Sequence, residues 1–275
     1  MITGKRAVAW WLAVSGMASA ELPGLNEKEW LGYFVGYENK KFHFGISGKG
    51  RGVIKPVVQK GELISKQLWV AVDFRVEETK PDGTTAVRAI LPETLESAQP
   101  ATNEPKKIVF KGKVKGGGSF EVFVDEEKGV IFLGGRLVDP GTAKNPLKFS
   151  IQADFPDAYP RVKKAGDKKA EDAFEERIKN DRLQLTWTDG KRVKPQTDKA
   201  LDAASKEVTG PGISALQVEF SSFQERKIGL VAAANSTMAL VNPQSAPLHE
   251  GFTAVWTADA VKDPEAKARL AIEVK

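Results

Sequence analysis

The residues best suited to chemistry are basic ones in the first third of the chain. Between Asn39 and Lys66, seven cations (Lys40, Lys41, Lys49, Arg51, Lys55, Lys60 and Lys66) stand against Glu62 alone. Gly48, Gly50 and Gly52 interleave with Lys49 and Arg51, so backbone N–H groups can join the charges in holding an anion. Lys40, Lys41, Lys49, Arg51 and Lys55 are therefore candidate ligand-binding residues for an anionic polysaccharide, a lipid headgroup layer or an acidic partner. A second run (Lys106, Lys107, Lys111, Lys113 and Lys115) extends that basic face if the two stretches are neighbouring strands. Trp69 joins the set, because alternation from Leu68 to Glu77 turns it away from the aliphatic side as a stacking platform. The competing reading is a lysine-defended sheet edge.

Catalytic patterns are weaker. The two histidines, His43 and His249, have no companions at metal-ligand spacing, and His249-Glu250 is followed by Gly251-Phe252-Thr253, so no zinc motif forms and no metal or cofactor is expected. Ser47 lacks the glycine and the following helix of a nucleophile elbow. Asp73 and Glu77 share a strand face, about 13 Å apart by strand rise, so a glycosidase-type acid pair needs its second carboxylate from a neighbouring strand. Asp125-Glu126-Glu127 reads as a turn, and no calcium-loop spacing occurs. Gly116-Gly117-Gly118-Ser119 reads as a hairpin tip, since a strand pattern follows it where a phosphate loop needs a helix. The chain has no cysteine, which excludes thiol catalysis, thiolate metal sites and disulfides.

The elements that must position these groups are strands. Period-two alternation recurs at Phe42–Ile46, Leu68–Val76, Ile108–Phe110, Phe120–Val124, Leu147–Phe155, Leu183–Trp187, Leu216–Phe220, Phe252–Trp256 and Leu270–Val274. Trp187 and Trp256 fall on core faces in that pattern. Gly129–Val138 is apolar without alternation, as for a strand covered on both faces. Turn residues at Pro81-Asp82-Gly83, Asp189-Gly190 and Glu38–Lys40 separate the runs. The fold class is all-β, an antiparallel β-sandwich with one short surface helix near 167–180, capped by Asp167, with Ala170, Ala173, Phe174 and Ile178 on its apolar stripe. Lys41–Pro56 and Arg182–Pro195 echo one another: a basic start, alternating apolar positions, a glycine-basic turn, then valine and Lys-Pro. Two tandem β domains, 21–139 and 146–275, meeting at Asp139-Pro140-Gly141, are expected from this echo; a single large sandwich is the alternative.

The first twenty residues read as an address. Lys5 and Arg6, the apolar run Ala7–Met17 and Ala18-Ser19-Ala20 have the order of a secretory signal, with the mature chain starting at Glu21 in the periplasm or outside the cell. No later segment is apolar enough to span a bilayer. Lys and Arg number 41 against 36 Asp and Glu, and two of the cations lie in the signal, a balance that does not point to nucleic acid. The sequence supports an exported, non-catalytic β-sandwich protein with a binding or envelope-structural role, its partner a polysaccharide or another envelope component. The alternative is a carbohydrate-active hydrolase using two carboxylates on a sheet face. Enzymatic status and oligomeric state are not legible.

Overall fold

The structure, a computed structural model, describes residues 21–159, 168–242 and 245–275; the expected signal and the expected helix cap Asp167 lie outside these. The strands are β1 (Tyr33–Glu38), β2 (Phe42–Ser47), β3 (Gly52–Pro56), β4 (Val70–Thr79), β5 (Thr85–Arg88), β6 (Ile90–Ser97), β7 (Ile108–Val114), β8 (Ser119–Glu127), β9 (Val130–Asp139), β10 (Leu147–Phe155), β11 (Arg182–Trp187), β12 (Arg192–Val193), β13 (Ile213–Glu219), β14 (Ile228–Ala232), β15 (Ser236–Val241), β16 (Phe252–Ala258) and β17 (Leu270–Val274). Every ladder between them is antiparallel. Helix among the described residues is limited to α1 (Lys168–Asn180), α2 (Lys206–Thr209) and short 3-10 turns. The all-β, sandwich-like class is thus the observed one.

Alternation sets the faces. In β4, Val70, Val72, Phe74 and Val76 are buried while Ala71, Asp73, Arg75 and Glu77 are half-buried on the outer side. The sheet runs β6–β7–β8–β9–β17–β14–β13–β15–β16–β10–β4–β3–β2–β1, with β13 and β15 touching at one pair, Ile213 and Met238. The segment leaving β6 then covers the free edge of β1: the Thr102 amide donates to the Phe34 carbonyl at 3.1 Å, and the Gly36 amide donates to the Thr102 carbonyl at 3.0 Å. This pairing hides backbone groups that would otherwise template aggregation.

The ladder crosses the stretch between Asp139 and Leu147. β4 pairs with β10 from Glu78↔Leu147 to Ala71↔Asp154, and β9 pairs with β17 from Leu133↔Leu270 to Ile131↔Ile272. Segments 21–139 and 146–275 share one hydrophobic cluster, to which Phe34, Phe74 and Phe110 contribute from one and Leu185, Val218 and Trp256 from the other.

The sequence echo corresponds to two hairpins of the same design. In β2–β3 the Ser47 amide donates to Arg51 O at 2.8 Å and the Gly50 amide to Ser47 O at 2.8 Å; in β11–β12 the Trp187 amide donates to Lys191 O at 2.8 Å and the Gly190 amide to Trp187 O at 2.9 Å. Both are three-residue loops with glycine at positive φ, +75° at Gly50 and +87° at Gly190. Each hairpin also carries a third strand with a register shift at the same place, β1 beside β2 and β13 beside β11. The third strand precedes the hairpin in the first copy and follows it in the second.

Two expectations change. The apolar run of β9 is not covered on both faces: Arg136 is exposed and Val138 is 52% exposed, and its buried centre is Gly134-Gly135, where the Arg269 and Phe149 side chains cross close to the backbone. The α1 stripe is narrower than expected, with Ile178 buried and Phe174 half-buried but Ala173 exposed.

A candidate binding face on the outer side of the sheet

The structure disperses the basic candidates. Lys40 and Lys41 are exposed at the β1–β2 turn, whereas Lys49 and Arg51 are exposed at the β2–β3 turn, about 17 Å away along β2 by strand rise. Arg51 is paired with Asp73, its Nε 3.0 Å and its terminal nitrogen 3.3 Å from the two carboxylate oxygens. β7 pairs with β6 and β8 and not with β2 or β3, so Lys111 and Lys113 do not extend the cluster; Lys111 pairs with Glu121 at 3.2 Å. The expected continuous basic face does not form, because sequence neighbours on a hairpin point to its opposite ends.

Lys55 is 5% exposed, and Trp69 is half-buried against it. The Lys55 ammonium lies 4.5 Å from the ring centre of Tyr33, 4.6 Å from Trp69 and 4.9 Å from Trp30. No carboxylate pairs with it among the described residues, so the three ring faces supply its electrostatic partner, each contact worth about 2 kcal/mol when desolvated. The cage needs a bare floor. A Cβ on Gly36 would sit 2.6 Å from Trp30, and one on Gly45 2.6 Å from Tyr33. The Trp69 indole N–H donates to Ile64 O at 3.0 Å, which fixes its ring. Trp69 is therefore a wall of this cage and not a free-standing platform. His43, beside Lys55 and 3.6 Å from Glu38, titrates below the usual histidine range, mainly through burial, with the Lys55 charge adding to the depression. His249 is buried, its Nδ1 2.9 Å from Thr197 O.

Register then assembles a track across five strands. Val241 opposes Thr253, Thr253 opposes Asp154, Asp154 opposes Ala71, and Ala71 opposes Val53, all on the outer face. By alternation Trp69 and Lys55 border it on one side, and Arg51, Asp73 and Gln152 on the other. At its β15–β16 end it opens into a cleft of about 300 Å³ lined by Asp154, Val241, Asn242, Glu250 and Thr253, among others. The Thr253 hydroxyl donates to Asp154 at 2.6 Å. Asp73 also meets Arg75 at 3.6 Å, and Gln152 donates to Glu77 at 3.1 Å, so the acids foreseen for catalysis belong to a charge network along the track's flank. Asp154 and Thr253 were not foreseen. Alternation within β4 places Ala71 between Trp69 and Asp73, but only the strand neighbours reveal what continues the row.

No protein-family model matches the chain, and no curated protein matches it. Among solved structures it is similar to the alpha-N-acetylgalactosaminidase NagBb from Bifidobacterium bifidum: the complex with Gal-NHAc-DNJ gives a TM-score of 0.52 at 9% identity, covering 87% of this chain and 36% of that one. The GalNAc complex gives 0.53 at 9% identity, covering 87% and 35%. The chain spans about a third of that enzyme's length. The likeness is one of fold, an antiparallel β sheet curled about one core.

Proposed function

We propose that this chain is an exported, non-catalytic β-sandwich protein that binds a polysaccharide along the outer track, in a binding or envelope-structural role. The observation that carries this reading is the row Val53–Ala71–Asp154–Thr253, short side chains between an aromatic wall and a polar one, opening into a cleft. Short side chains leave a channel; an indole edge meets the apolar faces of sugar rings, and carboxylate and amide groups pair with hydroxyls. Continued to Val241, the row spans four strand spacings, about 19 Å, enough for an extended oligosaccharide. The fold shared with part of a glycan-cleaving enzyme supports the ligand class. Among the described residues no helix is long and apolar enough to cross a membrane. Export is tested by mass spectrometry of the secreted or periplasmic form, expected to begin at Glu21.

Binding is tested on a glycan array with the mature chain and with Ala71→Trp, which fills the track from its floor on the face away from the core. Binding by the parent and its loss in the variant are expected; equal binding by both overturns the track. Asp154 and Glu250 line the same cleft, which favours the hydrolase as a second reading. Release of reducing ends from an array-positive glycan, lost in Asp154→Asn or Glu250→Gln, would establish it in place of simple binding.

A further inference from the structure

We propose that the groove beside the second hairpin is a separate site for an anionic polysaccharide, one carrying carboxylate or sulfate groups. The groove has a volume of about 590 Å³ and is lined by the Trp187 indole, by Lys191, Arg192, Lys194 and Lys206, and by one carboxylate, Glu207. All four cations are exposed, and among the described residues none of them is in an ion pair. Several cations on the sheet are matched by carboxylates: Arg51 with Asp73, Lys111 and Arg136 with Glu121, Lys227 with Glu219. An unneutralised cluster in a concavity concentrates positive potential toward solvent, where an anion can complete it.

The cluster is a product of the hairpin. The Gly190 turn brings Lys191 back opposite Trp187, β12 pairs only with β11 among the described residues, and α2 brings Lys206 across the mouth. Trp187 is half-buried: it packs against the edge of the core and also lines this groove, next to the register shift where β13 carries the additional residue Ser214. Its N–H donates to Val208 O at 3.0 Å, and a Cβ on Gly210 would sit 2.4 Å from its ring, so one ring face rests on the Gly210 backbone. Lys191 Nζ lies 4.6 Å over the ring. With both faces occupied, the indole cannot stack a nucleobase, and the charges of the whole chain are nearly balanced. An anionic sugar chain needs neither a free ring face nor a basic surface beyond the groove.

The test uses heparin, a sulfated polysaccharide, and the full mature chain. Lys191→Glu/Lys194→Glu should weaken retention by about tenfold or more at low salt, and the parent's retention should fall steeply as salt rises. The charge-matched Lys41→Glu/Lys49→Glu variant, altered at the first hairpin, should be retained like the parent. Equal losses in the two variants would mean net charge alone was read, and unchanged retention of the first variant would remove the site; either overturns the proposal, as would duplex DNA bound as tightly as heparin. Ala71→Trp should leave heparin retention intact, so failure of the track and failure of this groove are separable.

Discussion

Lys55 shows how a residue type that suggests a surface contact can be consumed by the fold. Its ammonium has three ring faces as its electrostatic partners, so Lys55→Ala should destabilise by about 2 kcal/mol or more in urea unfolding, and Lys55→Met, which keeps the packing, by less. Because the Lys55 charge helps depress His43, the Met variant should also move the His43 titration upward, as read by NMR. A second buried group gives a pH signature. Asp181 is 4% exposed; it accepts the Tyr159 hydroxyl at 2.8 and 3.0 Å and the Ser221 amide at 2.7 Å, with His249 and Arg177 nearby. Burial nonetheless raises its pKa, and burial with the Asp181 charge raises that of Tyr159. A carboxyl group raised on folding favours the native state most below its unfolded pKa of about 3.9 and loses that contribution as pH climbs through the folded value. Relative to Asp181→Asn, the parent should therefore lose stability as pH rises from about 4 toward neutrality; denaturation curves with the opposite slope would refute this.

At the scale of elements, the two hairpins share a turn but not an environment. Gly50 and Gly190 both sit at positive φ, and alanine there costs about 1 kcal/mol from backbone strain alone. Around Gly190 nothing lies within 4 Å of an added Cβ, whereas at Gly50 it would come 2.9 Å from Cδ1 of Leu95, which is fully buried. Gly50→Ala should thus be clearly more destabilising than Gly190→Ala by urea unfolding. Within β9, Gly135 is tighter still: an added Cβ would fall 2.4 Å from the Phe149 ring and 2.7 Å from the backbone oxygen of Glu121. Gly135→Ala should cost about 3 kcal/mol, the upper end for overpacked cores.

For the whole molecule, the crossed ladders mean that without β4 strand β10 keeps only β16, and without β9 strand β17 keeps only β14, each left with a bare edge. The Arg226 guanidinium adds a further tie, donating to Val57 O at 2.5 Å and Lys40 O at 3.4 Å. Expressed alone, 21–139 and 146–275 should each show no cooperative unfolding, and mixing them should restore it; a folded isolated half would show instead that each half buries enough surface by itself. What the sequence determined is local. Alternation placed Val70, Val72, Phe74 and Val76 inward, glycine and asparagine placed the turns, and the echo of Lys41–Pro56 in Arg182–Pro195 marked two hairpins of one design, since a strand's two faces and a turn's dihedrals depend on adjacent residues. Tertiary structure decided which strands are neighbours, and with that every shared site. Lys41 and Lys49 were parted by the length of β2, and Lys55 was enclosed by three rings from two other stretches, Trp30 and Tyr33 from one and Trp69 from the other. Asp154 was set beside Ala71, and Trp187, at the edge of the core, was brought into one groove with Lys206 of α2. These outcomes depend on pairing register across tens to more than a hundred residues, which alternation along a single strand does not encode.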